Sequence, residues 1–128
     1  MREETRTWLA KADKDLGTAG FALNSVDGPL PLTTGLHCQL SAGKYLKAYL
    51  QEYEIALSGQ QSLTSLLEEC IAVDTSFEML RSDIDQLEGY SIAARYPRAD
   101  DSLAFRTEAI ASVKRLKEFV LSRLNAKS

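Results

Sequence analysis

Residues 36–53 read LHCQLSAGKYLKAYLQEY. At about 100° per residue along a helix, one broad apolar face collects Cys38, Ala42, Gly43, Tyr45, Leu46, Tyr49, Leu50 and Tyr53. The opposite face collects His37, Ser41, Lys44, Lys47, Ala48 and Gln51. An apolar arc of nearly half the circumference favours a helix that packs against more than one neighbour. We therefore predict that this stretch is the central helix of a bundle.

The chain before this stretch predicts one helix and a break. Helical spacing over about residues 3–24 gives a core-facing stripe of Leu9, Ala12, Leu16, Ala19 and Leu23. Segment 24–32 contains Pro29 and Pro31, which favour turn and extended backbone. We expect Thr33 or Thr34 to cap the second helix, which should end near Glu54.

Three more helices are expected after this stretch. Ser62 should cap the third, whose stripe is Leu63, Leu66, Leu67, Cys70 and Ile71. Asp74, Thr75 or Ser76 should cap the fourth, with a stripe of Phe77, Leu80, Ile84, Leu87 and Ala94. That helix should end at Tyr96, because the residue before a proline resists helical backbone. Asp100 or Asp101 should cap the fifth, which faces the core with Ile110, Val113, Leu116, Val120 and Leu124.

The predicted fold is an all-α, up-and-down antiparallel bundle of about five helices in a single domain over residues 1–128. A net charge of −3 gives no overall attraction to nucleic acid or to an anionic membrane. We find no signal peptide and no apolar run long enough for a transmembrane helix, so a cytoplasmic protein is expected. Two cysteines on separate helices are interpreted as reduced, buried residues.

Charge is distributed unevenly along the chain. Residues 51–89 hold nine acids and one base, whereas residues 101–128 hold six bases and three acids. One interpretation is that these helix faces complement each other within the bundle. The other is an acidic surface that docks a basic partner.

The central stretch resembles the signature helix of HEPN domains, small prokaryotic helical domains often encoded beside minimal nucleotidyltransferases. The matching residues are His37, Gln39, Lys44, Leu46, Lys47 and Ala48. The first helix adds Trp8, Lys11, Ala12, Asp15 and Leu16, and residues 94–97 read ARYP, which commonly closes a late helix in this family. The resemblance covers nearly the whole chain. It implies a four-helix-bundle-like fold and a homodimer.

The resemblance also raises the question of ribonuclease activity. Nuclease members carry an arginine followed, after four to six residues, by a histidine. An imidazole there accepts the proton of a 2′-hydroxyl, and a guanidinium holds the phosphate. Arg95 lies in the corresponding region, but no histidine follows it, and His37 is the only one in the chain. The sequence therefore predicts no catalytic residues and no enzyme of this type.

Candidate binding residues remain on two segments. The set is His37, Ser41, Lys44, Lys47, Arg95, Tyr96 and Arg98. His37, Ser41 and Lys44 share a helical face that could contact a phosphate or a partner carboxylate; alternatively, His37 is half-exposed and bonds a neighbouring side chain. Arg95 and Tyr96 either line a groove for a nucleotide phosphate or partner protein, or close the fourth helix and pack across the fifth.

Other chemistries find no support in the residue pattern. Two cysteines and one histidine lack metal-ligand spacing, and a single histidine cannot supply the paired motifs of a di-metal bundle. No phosphate-binding glycine loop is present, nor the strained turn of a serine hydrolase. We expect no cofactor and no metal.

Three functional hypotheses follow. The first is a non-catalytic HEPN binding module that acts with a nucleotidyltransferase partner in a toxin–antitoxin or defence-like system and contacts a nucleotide or RNA. The second is a ribonuclease toxin with a rearranged site made of His37 and Arg95. The third is a purely structural dimeric interaction protein.

Overall fold

The computed structural model describes residues 1–24, 31–57, 62–93 and 103–127, and the side chains of 1–24, 34–57, 62–89 and 107–125. The helices are α1 (Glu3–Leu23), α2 (Pro31–Glu52), α3 (Leu63–Val73), a 3₁₀ helix (Thr75–Leu80), α4 (Arg81–Ala93) and α5 (Leu103–Lys127). These four stretches contain no strand. The all-α prediction is confirmed.

Helix α2 lies at the centre of the bundle and contacts α1, α3, α4 and α5. Most of its predicted apolar face is buried, including Tyr45, Leu46 and Tyr49, whereas Tyr53 at its end is 37% exposed. The prediction that Ser41 and Ala48 lie on the outer face is wrong, because both are completely buried. Their small side chains let α1 pack closely on that side, which a hydrophobic periodicity does not reveal.

Contacts between side chains fix the directions of the long helices. Thr5 near the start of α1 bonds Glu52 at the end of α2, and Ser41 bonds Ala12 further along, so the two run antiparallel. In the same way α4 runs antiparallel to α5, since Asp83 meets Arg115 and Gln86 meets Ser112.

Helix α3 starts beside the middle of α2. Leu63 and Leu66 face Gly43, and the Cys70 thiol, one turn before the end of α3, donates to the Leu46 carbonyl. The pairs Thr64–Glu88 and Glu68–Arg81 then set α4 antiparallel to α3. The short α3 thus covers part of the α2 surface that α1 does not contact.

Both ends of α2 differ from the sequence prediction. The helix begins at Pro31, within the segment predicted to be a break, so Thr33 and Thr34 lie inside the helix and do not cap it. Proline is well tolerated in a first helical turn, where its missing N–H would have no partner. The helix ends at Glu52, two residues before the expected Glu54.

The caps of the next two elements were largely predictable. Ser62 precedes α3 and accepts a hydrogen bond from the Ser65 N–H, as expected. Asp74 also caps, but the element that follows it is a 3₁₀ helix that passes into α4 at Arg81. The single regular fourth helix predicted from the apolar stripe is therefore wrong at its start, although Phe77 and Leu80 are buried as expected.

The remaining predicted stripes face the core. The buried residues of α5 include Ile110, Val113, Leu116, Val120 and Leu124. On α1, Ala12 and Ala19 are buried, and the leucines of the stripe are partly buried and pack against the core. The expected ends at Tyr96 and at Asp100 or Asp101 lie outside the described residues. No helix in the described part of the chain is long and apolar enough to cross a membrane.

Candidate functional site

The single histidine lies in the contact between α1 and α2. His37 Nδ1 is 2.9 Å from Oδ1 of Asp15, and the Lys44 ammonium is 2.5 Å from Oδ2 of the same carboxylate. Helical spacing explains the arrangement, because residues 37 and 44 are two turns apart on one face of α2 and Asp15 faces the gap between them. The side chains of His37 and Lys44 remain about one-quarter exposed.

Asp15 is ionised in this cluster although its side chain is only 11% exposed. Burial alone would raise its pKa, but hydrogen bonds from Lys44 and His37 and their charges outweigh burial and bring the pKa below its ordinary value of 3.8. An ionised carboxylate accepts hydrogen bonds only. The His37 Nδ1 must therefore carry the hydrogen that is shared with the Asp15 carboxylate.

Ser41 contributes to the helix contact rather than to a ligand-facing surface. Its hydroxyl is fully buried and donates to the Ala12 carbonyl at 2.8 Å. The predicted His–Ser–Lys surface is thus wrong for Ser41, which no solute can reach. The alternative prediction for His37, a partly exposed ring bonded to a neighbouring side chain, is confirmed.

A second polar cluster at the α1–α2 contact consists of Tyr45, Asp13 and Lys117. The buried Tyr45 hydroxyl donates to Asp13, whose carboxylate also pairs with Lys117 of α5 at 2.9 Å. Burial, together with the Asp13 charge, raises the pKa of Tyr45. The phenol therefore stays protonated, and Tyr45, Asp13 and Lys117 together link α2, α1 and α5.

Trp8 forms the outer edge of the site. The Lys11 and Lys47 ammonium groups lie 5.2 and 5.1 Å from the centroid of its ring, within the range of cation–π attraction. Lys44 and Lys47 also line a cleft of about 220 Å³ between α2 and α3. Its other polar lining includes Gln39, whose amide donates to the Leu87 carbonyl, and Glu88.

Glu88 is already engaged at the far wall of this cleft. Its carboxylate accepts the Thr64 N–H in the first turn of α3, where a negative charge also complements the helix dipole. The α2 side of the cleft therefore carries the positive charges of Lys44 and Lys47. On the α3 side, the negative charge of Glu88 is bonded to the start of the helix.

Comparison with known protein families matches residues 5–124 to the HEPN domain. The chain belongs to the HEPN family. No curated protein and no solved structure gives a significant match.

The two halves of the HEPN resemblance meet in space. Asp15 and Trp8, from the first-helix motif, contact His37, Lys44 and Lys47, from the central motif. Many of the residues that carry the HEPN resemblance thus lie in the contact between α1 and α2.

The other predicted site residues, Arg95, Tyr96 and Arg98, lie outside the described residues. Sequence reasoning matched Asp15 to the family but gave it no part in the site. A signal was available, because a carboxylate beside the core stripe of an amphipathic helix needs a partner when buried.

The described residues offer no metal centre and no reactive thiol. Within them, no cluster of three or more potential metal-binding side chains occurs. Cys38 and Cys70 are free and buried, as predicted, and burial raises the pKa of Cys38 to about 12. A thiol this weakly acidic is protonated at neutral pH and is a poor nucleophile.

Proposed function

We propose that this HEPN chain is a non-catalytic binding module. It would act as a homodimer with a separately encoded nucleotidyltransferase, in a toxin–antitoxin or defence-like setting. The observation that carries the proposal is the position of the only histidine: His37 donates through Nδ1 to Asp15, and Lys44 occupies the second oxygen of that carboxylate. This arrangement supports a structural role for the imidazole, which links α2 to α1.

The sequence around Arg95 supports the same proposal. The residues after it read YPRADD, without the histidine that nuclease members of the family place there. Without a histidine at that spacing, the sequence motif lacks the imidazole that would accept the proton of a 2′-hydroxyl. What remains is a cation suited to binding.

A nucleotide or an RNA phosphate is the proposed small ligand. The cleft beside Lys44 has room for such a group and offers the Gln39 amide and the Ser62 hydroxyl as further polar contacts. The nucleotidyltransferase is the proposed protein partner. Both assignments rest on the family and on the unevenly charged surface around α2.

Affinity capture of the full chain with the product of the neighbouring gene tests this function. We expect a nucleotidyltransferase to co-elute, and a Lys44→Ala/Arg95→Ala double variant to retain at least tenfold less of it. Lys14→Ala/Lys114→Ala removes two exposed cations elsewhere and should bind as wild type. Failure to capture a partner, together with no nucleotide-induced change in melting temperature, would disprove the proposal.

One observation favours a second candidate, a ribonuclease with a rearranged site. A carboxylate that fixes the tautomer and orientation of a histidine also occurs in acid–base catalysis, and Asp15 does this for His37. This candidate requires RNA cleavage that depends on the imidazole of His37. The purely structural alternative requires a tight dimer with neither ligand nor catalytic activity.

A further inference from the structure

One strip of the central helix is left uncovered by the bundle. Leu36, Leu40, Lys44 and Lys47 follow one another at helical spacing and line this side of α2; we call them the α2 strip. Leu36 is 54% and Leu40 is 40% exposed, whereas the α2 residues facing the neighbouring helices are buried. Two exposed leucines one turn apart form an apolar surface that no helix in the described ranges covers.

The other half of the strip is cationic. Lys44 forms an ion pair with Asp15. Lys47 and its neighbour Lys11 lie over the Trp8 ring, and no carboxylate in the described part of the chain lies within ion-pair distance of either ammonium. Glu88, across the cleft, accepts the Thr64 N–H. Two ammonium groups beside Trp8 therefore remain available to an acidic partner.

The shape of this region suits an elongated partner. From residue 36 to residue 47 the strip covers about three helical turns, roughly 16 Å. It borders the cleft of about 220 Å³. A glycine, Gly43, stands on the cleft side, where its missing side chain leaves Leu63 and Leu66 as the facing wall. An extended ridge beside a cleft is the geometry that receives a helix through anchors spaced one turn apart.

We propose that the α2 strip docks an amphipathic helix of a partner protein that carries apolar residues at one end and acidic residues at the other. The apolar residues cover Leu36 and Leu40, and the carboxylates meet Lys47 and Lys11. This inference rests on the proposed binding function and specifies the chemistry of its protein partner. The exposed leucines favour a protein over RNA, because a phosphate backbone would leave them in water.

Trp8 is the only tryptophan of the chain and lies against Lys47, so its fluorescence reports on the strip. The probe is a synthetic, tryptophan-free helical peptide of about 16 residues, with two leucines one turn apart at one end and two glutamates one turn apart at the other. Its reversed sequence is tested as well, because the geometry leaves the direction open. We expect at least one of the two to change Trp8 emission saturably.

Variants of the full chain localise the response. Lys47→Glu and Leu40→Glu should each weaken peptide binding at least tenfold. Lys14→Glu, on the same helix as Lys11, and Phe21→Glu, at a phenylalanine that is 79% exposed, make the same chemical changes away from the strip. Both controls should bind the peptide as the wild type does.

Three results would overturn the inference: no response to either acidic peptide, an equal response to a peptide with lysine in place of glutamate, or a response only to single-stranded RNA. The titration needs no natural partner. If the neighbouring gene product is not captured but the peptide binds, the proposed function is rejected and the docking role of the α2 strip is supported. The opposite pair of results would reject the strip alone.

Discussion

At the scale of single residues, Asp15 has the largest influence on the site. One carboxylate accepts hydrogen bonds from His37 and Lys44 across the α1–α2 contact. Each of these bonds involves charge, and each is shielded from water on at least one side, which makes it stronger than a neutral bond on the surface. The orientation of the only imidazole therefore depends on Asp15.

Asp15→Asn should destabilise the protein. The amide keeps the shape but loses the charge and one acceptor oxygen, leaving a half-buried cation with a weaker partner. We expect a loss of about 2 kcal/mol and a melting temperature lower by about 6–10 °C. Asp85→Asn changes an exposed carboxylate on α4 and is the matched control. An equal effect of the two substitutions would contradict the role of Asp15.

The stability difference between wild type and Asp15→Asn should depend on pH. The pKa of Asp15 is lower in the folded protein than its ordinary value. Its contribution is therefore complete above the unfolded value, near pH 4, and is lost as the pH falls through the folded pKa. The difference in melting temperature between wild type and Asp15→Asn should be constant near neutrality and shrink on acidification. A difference that grows on acidification would have the wrong sign.

Sequence reasoning placed these residues on helices but could not pair them. His37, Lys44 and Asp15 are each compatible with a solvated helix surface, and nothing local says that two such surfaces meet. Ser41 shows the limit most clearly, since a serine among polar neighbours is indistinguishable in the sequence from one that donates inside a helix contact.

At the scale of elements, the C-terminus of α2 shows how a helix stops without glycine or proline. The Ile55 N–H bonds the Leu50 carbonyl, and the Glu54 N–H bonds the Gln51 carbonyl. Partly buried Ile55 packs against the core. This is the pattern of a Schellman motif, and Glu54 takes the left-handed position, with φ of 59°.

Glu54→Gly should stabilise the protein by about 0.5–1 kcal/mol, because glycine adopts the left-handed conformation without the steric cost of a Cβ. Glu54→Ala is the control. It removes the exposed carboxylate, 3.6 Å from Arg2, but keeps the Cβ. Urea unfolding of the three proteins measures the effect. If glycine is no more stabilising than alanine at this position, the conformational explanation is wrong.

The elements that sequence predicted best are those with one buried face. The stripes of α1 and α5 were found because burial on one side imposes a period on the sequence. The Ser62 cap was found because a serine before an apolar stripe is a preferred N-cap residue. The 3₁₀ helix was missed, since Phe77 and Leu80 have the same three-residue spacing in either helix type. The start of α2 was missed because Pro31 suits a turn and a first helical turn equally well.

At the scale of the whole molecule, the two oppositely charged segments meet inside one bundle. Arg115 of α5 lies 2.8 Å from Asp83 of α4, and Arg123 lies 3.8 Å from Asp74. Arg81 likewise neutralises Glu68 and Glu78 within the acidic segment. Intramolecular complementation thus accounts for several of these charges, which favours that interpretation over an acidic docking surface.

The opposite net charges of segments 51–89 and 101–128 suggested that they would pair. They did not indicate which residues would meet. Which acid meets Arg115 depends on the direction of α4 against α5, and that follows from the packing of the whole bundle. Two cations without an ion pair to a described residue, Lys11 and Lys47, lie beside Trp8, where no run of like charge appears in the sequence. The proposed binding face could therefore be recognised only once α1 and α2 were placed together.

We propose that His37 serves the fold and not a reaction. The most direct test incubates single-stranded and structured RNA with purified wild type and His37→Ala, and quantifies cleavage while circular dichroism confirms that both are folded. We predict no cleavage above buffer for either protein and a lower melting temperature for the variant. Cleavage by the wild type that disappears in a folded His37→Ala protein would contradict the account.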